Sequence, residues 1–203
     1  MTTKPNRDEQ PWLATASGQK LRPGSVNPEQ VEIEDIAHGL AHAFRFGGQS
    51  PKGYTVAQHS VEVSRQVPEK DALWGLLHDA AEAYLCDVPR PIKRHMHLCI
   101  TIGTNTGERF ALVPFEVVEE DTLHAVITRF DLLWPMPKSV AWADDRELAR
   151  ERRDLFDERQ PEWPDLTAAP NPRPILTCWD PAEAERLFME RFRELGEGLG
   201  ARD

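Results

Sequence analysis

Residues 68–85, PEKDALWGLLHDAAEAYL, form the most informative stretch of this sequence. The proline at its start favours the first turn of a helix, and the apolar residues after it recur at helical spacing. The polar pair His78 and Asp79 follows directly, and a buried ionised carboxylate is costly unless it is paired or binds a metal ion. The stretch therefore predicts a strongly buried helix with a candidate chemical site at its polar end. The large apolar residues before the polar pair are Leu73, Trp74, Leu76 and Leu77.

Helices are also predicted on both sides of this stretch. IEDIAHGLAHAF, residues 33–44, has helical apolar spacing and is followed by two adjacent glycines that break the pattern. Thr55-Val-Ala-Gln58 fits a capping box, which begins a helix that carries His59. Residues 95–114 are predicted to be a loop, and no sheet is expected. Further helices are predicted over 115–130, over 142–156 and from the N-cap residue Asp180 onward.

The chain of 203 residues is long enough for one well-buried core and is predicted to form a single domain. Residues 1–30 carry Pro, Gly, Ser and charge without periodicity, so they predict an extended, irregular arm. Residues 31–203 are predicted to form the domain itself. The expected fold class is all-α, a helical bundle.

The charge balance limits the partners. There are 34 acidic and 24 basic residues, and the net charge of -10 disfavours a nucleic-acid polymer. A small phosphorylated substrate remains compatible with this charge, because a local cluster of Arg and Lys can bind it. The sequence leaves the oligomeric state open, including a homo-oligomer.

The sequence favours a cytoplasmic location. Its start, MTTKPNRDEQPW, has no apolar core of signal-peptide length, and no later stretch approaches 18 uninterrupted apolar residues. The cysteines number three and form no CxxC pair, as expected of reduced thiols. No membrane partner and no catalytic cysteine are predicted.

Four residues form a candidate metal site. His78 and Asp79 can converge on a cation beside their helix, since adjacent helical residues differ by about 100 degrees in direction. His59 in the preceding helix and Asp144 in a late helix add an imidazole and a carboxylate. This mixed N/O set suits Mn, Co, Ni, Fe, Zn or Mg. Glu82 lies one turn beyond His78 on the same side and brings another carboxylate near the cation.

These residues resemble a known family. IEDIAHGLAHAFRFGG, YTVAQHSVEVS, LLHDAAEAYLCDVPRPIK and ADDRELARERRDL are similar to segments of the HD-domain 5'-deoxynucleotidases and their bacterial and phage relatives. Some of those phage relatives remove triphosphate from dATP. The resemblance covers nearly the whole chain, from about Trp12 to the last helix. It implies an all-α HD-domain bundle that binds one divalent metal ion through His59, His78, Asp79 and Asp144.

The resemblance also implies roles for the neighbouring residues. Glu82 matches the carboxylate that orients or deprotonates the attacking water, and Arg45 matches a phosphate-contacting arginine. Asp87 matches an acidic residue near the sugar, and Lys93 a basic residue near the phosphate. Phe46 stands where the bacterial monophosphatases carry a Trp that helps exclude ribose, so discrimination against ribonucleotides is not implied.

Two adjacent acids compete for the last ligand position. Asp144 shares a helical stripe with Leu148 and Glu151, whereas Asp145 lies a quarter-turn away on a stripe that includes Phe156. The leucine side favours Asp144, although the apolar arc extends partly towards Asp145. The family pattern, an acid seven positions before the Glu of ERRDL, also selects Asp144.

Several functions and sites remain open on the sequence alone. The first hypothesis is a 5'-nucleotidase that acts on deoxynucleoside monophosphates, and the nearest rival is a deoxynucleoside triphosphate triphosphohydrolase of phage nucleotide metabolism. A third hypothesis is a nucleotide-binding HD module without catalysis. His38 and His42 are four residues apart and are interpreted as packing groups rather than metal ligands. A second metal in the HD site is a further alternative, with His95, His97 and His124 as its candidate ligands.

Overall fold

The computed structural model describes residues 11–104, 107–157, 161–163 and 166–200, and this part of the chain is mostly helical. Two small antiparallel hairpins accompany the helices. The all-α prediction is therefore confirmed at the level of a mainly helical fold, whereas the expectation of no sheet is wrong. None of the described helices is long and apolar enough to cross a membrane. The helices are α1 Ile33–His42, α2 Val56–Ser64, α3 Ala72–Leu77, α4 Glu82–Leu85, α5 Arg90–Lys93, α6 Phe115–Arg129, α7 Lys138–Leu155 and α8 Pro181–Gly200.

Two of the predicted helix starts are confirmed by their caps. Thr55 Oγ1 accepts a hydrogen bond from the N–H of Gln58 at 3.1 Å, at the beginning of α2. Asp180 Oδ1 accepts from the N–H of Glu183 at 2.9 Å, at the beginning of α8. Each cap satisfies one of the N–H groups that has no partner inside its helix. Helix α1 ends at His42, before the predicted residue 44, because Ala43 is already extended.

The predicted continuous helix over 68–85 is wrong. A 3-10 turn, Glu69–Asp71, precedes α3, and a turn at residues 78–81 separates α3 from α4. In this turn the N–H of Ala80 bonds three residues back, and His78 Nδ1 donates to the carbonyl of Gly75 at 2.9 Å. The helix is thus interrupted at the polar pair for two reasons. The His78 side chain occupies a backbone carbonyl, and the backbone hydrogen bonds of the turn span three residues instead of four.

The predicted loop at residues 95–114 is also wrong, because it contains an antiparallel hairpin. Strands β3, His97–Thr104, and β4, Gly107–Pro114, pair from His97 opposite Pro114 to Thr104 opposite Gly107. The described side chains alternate in exposure: Leu98 and Ile100 are half-buried, whereas His97 and Cys99 are exposed. This two-residue period is the signature of a strand with one covered face.

The predicted N-terminal arm contains some regular structure. Residues 1–10 lie outside the described residues, and β1, Leu13–Ala14, pairs with β2, Lys20–Leu21. Leu21 is buried in the main core, so the arm is attached to the domain.

The main core joins four helices around the site. Helices α1, α2, α3 and α8 bury a common set of aliphatic and aromatic side chains. Close approach of α1 to α4 requires Gly39, since a Cβ there would lie 2.5 Å from the carbonyl oxygen of Ala83. A second cluster packs α6 and α7 against α2 and α3. The polar end of α3 therefore lies beside α2 and α7. Central members of the main core are Ile36, Leu40, Val61, Leu76, Leu77 and Phe188.

Candidate metal centre and its cleft

Two buried imidazoles face each other at the centre of the fold. His59 projects from α2, His78 follows the last residue of α3, and their Nε2 atoms lie 3.2 Å apart. His59 is fully buried and His78 is nearly so. Two helices joined by a short connection thus bring both predicted histidines to one point.

Two carboxylates complete this cluster. Asp79 Oδ2 lies 3.3 Å from His78 Nε2 and 3.5 Å from His59 Nε2. Asp144 Oδ1, from α7, lies 3.2 Å from His59 Nε2 and 3.9 Å from His78 Nε2. One ligand atom from each of His59, His78 and Asp144 lies within 4.8 Å of the others, so this group could hold a metal ion. We call these four residues the buried centre.

Both imidazole rings of the buried centre are oriented by a partner behind them. His59 Nδ1 lies 2.6 Å from Glu151 Oε1, and His78 Nδ1 lies 2.9 Å from the carbonyl oxygen of Gly75. Since a carboxylate and a carbonyl only accept hydrogen bonds, each Nδ1 carries the proton. Each Nε2 then faces the interior of the cluster and is the atom that would bind a cation in place of a proton, an arrangement typical of metal-binding histidines.

The charges of the buried centre attract a cation. Burial and Arg45 act to lower the pKa of His59, but Glu151 and Asp144 outweigh them and raise it to about 10. Burial acts against a charged His78 as well, yet Asp79 and Asp144 raise its pKa. Protons therefore bind tightly where no metal competes for the same lone pairs. A divalent cation would replace those protons and satisfy the same carboxylates.

Arg45 connects the centre to its supporting residues. Its Nε and Nη2 both lie 3.1 Å from Glu151 Oε2, and its Nη1 lies 3.3 Å from Asp79 Oδ2. The Arg45 side chain is 11% exposed and that of Glu151 is fully buried. Glu151 consequently supports both His59 and Arg45. No role for Glu151 is predicted from the sequence, and its place on the same helical stripe as Asp144 is the one signal that could have indicated it.

Glu82 begins α4 beside the centre. It is buried, and within the described part of the chain its Oε2 has no hydrogen-bond partner. Burial, followed by the charges of Asp79 and Asp87, raises the pKa of Glu82 well above its usual range. Such a carboxylate holds a proton more readily than an exposed one, as a proton acceptor in a site must.

Lys93 on α5 approaches Glu82 from the other side. Its Nζ lies 3.8 Å from Glu82 Oε1 and 2.6 Å from Glu119 Oε1 on α6. Burial disfavours the charge on Lys93, but the bond to Glu119 and its charge raise the pKa of the ammonium overall. No role for Glu119 is predicted from the sequence, since nothing in the helical pattern of α6 distinguishes it from the other acidic residues of that helix.

Phe46 and Asp87 lie at the edge of the site. Phe46 has a left-handed backbone, φ 61°, which is rare for a bulky side chain. Its ring packs against Phe156 and Trp163, with centroid distances of 5.0 and 5.6 Å. Asp87 Oδ2 accepts a hydrogen bond of 3.4 Å from the N–H of Gly47. Phe46 follows Arg45 directly and Asp87 bonds to the same segment, so both residues lie beside Arg45.

These side chains line one cleft of about 540 Å³, within the range of small-molecule sites. The cleft brings together the candidate ligands Asp79 and Asp144 with the other predicted site residues, and His59 and His78 lie behind it. Asp145 lines the cleft too, but the short contacts to the imidazoles come from Asp144. The remaining predicted residues on its wall are Arg45, Phe46, Glu82, Asp87 and Lys93.

Other histidines do not join the buried centre in the described structure. The side chains of His95, His97 and His124 are exposed, and none of them belongs to a described group that could hold a metal. The second described group consists of His38, His42 and Glu185. We call these three residues the surface cluster.

Comparison with known proteins identifies relatives without an assigned activity. No family model matches the chain. It is 40% identical over 91 residues to the uncharacterized protein RCAP_rcc00048 of Rhodobacter capsulatus, a match over 40% of this chain and 46% of that protein. It is 35% identical over 192 residues to the uncharacterized protein YfdR of Escherichia coli K12, a match over 92% of this chain and 96% of that protein. The chain therefore belongs to the same family as YfdR.

Proposed function

We propose that this chain is an HD-domain metal-dependent phosphohydrolase, a 5'-nucleotidase that acts on deoxynucleoside monophosphates. The observation that carries this proposal is the convergence of two oriented imidazoles and two carboxylates beside a cleft that also contains Arg45 and Lys93. A set with two nitrogen and two oxygen donors fits Mn, Co, Ni, Fe or Zn, and less well Mg. When bound, a divalent cation would activate water and polarise a phosphoryl oxygen.

Glu82 is proposed to accept the proton of the attacking water. It borders the same cleft as Asp79, and its Oε2 has no other partner in the described residues. Proton transfer to a positioned side chain contributes typically about 10² to 10⁴ in rate. Glu82 is therefore assigned to proton transfer and not to metal binding.

Arg45 and Lys93 are proposed to bind the phosphate. They line the cleft together, and each is held in place by a carboxylate behind it, Glu151 and Glu119 respectively. Cations fixed before the reaction stabilise charge on the phosphoryl oxygens without reorganising. These ion pairs thus supply the rigidity that electrostatic catalysis requires.

Asp87 and Phe46 are proposed to contact the sugar. Both line the cleft, and the Phe46 ring leads to an apolar wall formed with Trp163 and Leu148. A carboxylate suits a sugar hydroxyl, and an aromatic ring suits the apolar faces of sugar and base. This division of polar and apolar walls matches a nucleotide better than inorganic phosphate alone.

A substrate panel tests this proposal. The chain is stripped of metal and incubated with Mn, Co, Zn or Mg and with mono- or triphosphate nucleotides, and products are separated by chromatography. We expect inorganic phosphate from deoxynucleoside monophosphates and none from the Asp144→Asn variant. Release of intact triphosphate would instead identify the triphosphohydrolase rival. Nucleotide binding without turnover under any metal would identify a binding module.

A further inference from the structure

We propose that the surface cluster His38, His42 and Glu185 is a second metal site, which binds zinc and ties the last helix to the first. The site is separate from the buried centre, and it does not depend on the proposed nucleotidase activity. Its ligands come from α1 and α8, which pack against each other along the main core.

The geometry of the surface cluster supports a metal site. His38 and His42 are one helical turn apart on α1, and their ring centroids lie 4.3 Å from each other. His38 Nδ1 lies 3.1 Å from Glu185 Oε2 on α8. One ligand atom from each of the three residues lies within 4.8 Å of the other two. Tetrahedral zinc bonds of about 2.0 to 2.2 Å place ligand atoms roughly 3.4 Å apart, so small side-chain rotations would complete the site.

The ring of His42 is already oriented for this role. Its Nδ1 donates to the carbonyl oxygen of His38 at 2.8 Å. Since the carbonyl can only accept, the proton resides on Nδ1, and Nε2 keeps its lone pair. A backbone carbonyl behind an imidazole is the common support of metal-binding histidines. An ordinary ion pair between His38 and Glu185 would not need this second imidazole.

The donor set and exposure indicate which metal binds. Two imidazoles and one carboxylate suit zinc and other late transition metals better than Mg or Ca. The side chains of His38 and Glu185 are 47% and 38% exposed, so a metal reaches them without any opening of the fold. Water would complete the coordination, since three residues leave a fourth position free.

Binding at this site would stabilise the attachment of α8. This helix contributes Ala184 and Phe188 to the main core, on the turns beside Glu185. A metal that binds only the folded chain stabilises it by mass action. At zinc concentrations of about one hundred times the Kd, we expect a rise in Tm of about 5 to 10 °C.

Zinc stoichiometry in four proteins tests this site. Untagged wild type, Asp144→Asn, His42→Ala and the double variant are dialysed against zinc at equal concentration, and bound metal is measured. If both sites exist, the four proteins bind two, one, one and no zinc ions. If only the surface cluster binds, they hold one, one, none and none. If only the buried centre binds, they hold one, none, one and none, which overturns the present proposal.

Thermal melting supplies the second readout. In the Asp144→Asn background, zinc should raise the Tm, and His42→Ala or Glu185→Gln should remove that rise. His95→Ala is the matched control, because His95 is exposed and outside both metal groups of the described chain. The melting curves in EDTA should coincide, which shows that the variants fold alike. A zinc-induced rise that persists in His42→Ala would contradict the site.

Discussion

The buried centre and the surface cluster use the same donor types in opposite surroundings. Each combines two imidazoles with a carboxylate from a distant helix, Asp144 in the buried centre and Glu185 in the surface cluster, and the buried centre adds Asp79 beside His78. His59 is fully buried and both of its ring nitrogens are engaged, whereas the His38 side chain is 47% exposed. The buried centre opens onto a cleft that contains the charged side chains of Arg45 and Lys93. The surface cluster instead joins helices α1 and α8. Burial and the neighbouring residues, more than the type of ligand, thus distinguish a candidate catalytic site from a candidate structural metal site.

The largest expected effect comes from removal of a carboxylate from the buried centre. Asp144→Asn keeps the shape of the side chain and removes the charge that faces His59 Nε2 at 3.2 Å. We expect loss of activity and of tight metal binding at this centre, with the surface cluster unchanged. Asp145→Asn is the matched control, because Asp145 lines the same cleft. A metal titration in which Asp145→Asn is the defective protein would reverse the assignment.

Glu82→Gln should abolish proton transfer in the cleft without removing the metal ion from the buried centre. The substitution keeps the size of the side chain and removes its ability to accept a proton. We expect the metal content of wild type and a decrease in kcat of about 10² to 10⁴. Metal analysis and steady-state kinetics on the same preparation measure both quantities. A Glu82→Gln protein without metal would show that Glu82 is a ligand instead.

Glu151→Gln should weaken metal binding at the buried centre by removing the negative charge behind His59. An amide oxygen can still accept from His59 Nδ1, but the negative charge that supports His59 and Arg45 is lost. We expect metal affinity at the buried centre to fall by about 10- to 100-fold. Competition with a chelator measures this affinity, and Asp145→Asn again serves as control. Unchanged affinity would mean that hydrogen bonding alone, without the charge, orients the ring.

The sequence predicts features that depend on neighbouring residues and does not predict those that depend on distant contacts. Helix starts at Thr55 and Asp180 follow from local capping chemistry, so the sequence predicts them. The roles of Glu151 and Glu119 depend on contacts with residues 26 to 106 positions away, which no local pattern reports. The break after α3 arises from a side-chain bond to the Gly75 carbonyl, which periodicity does not reveal.

The hairpin over β3 and β4 was missed for another reason. HLCITIGT, residues 97–104, has the alternation of a strand, but the polar and glycine residues GTNTG that overlap its end favour a loop in a sequence pattern. The sequence singles out the histidines of both candidate metal groups, but neither Glu185 nor the exposure of His38 and His42 is apparent from it. Exposure is decided by how α8 and α7 pack, and that is a property of the whole fold.

The smallest expected effect concerns Phe46, which belongs to neither metal cluster. Its ring forms one wall of the cleft against Phe156 and Trp163, where a larger indole would reach further towards the proposed position of the sugar. Phe46→Trp should therefore raise the preference for deoxyribose over ribose, by about 10-fold in the ratio of kcat/KM, since modest steric differences in a pocket are worth about 1 to 3 kcal/mol. Zinc content at both clusters should stay the same. Kinetics with a deoxynucleoside monophosphate and its ribonucleotide measure the ratio, and an unchanged ratio would remove Phe46 from sugar recognition.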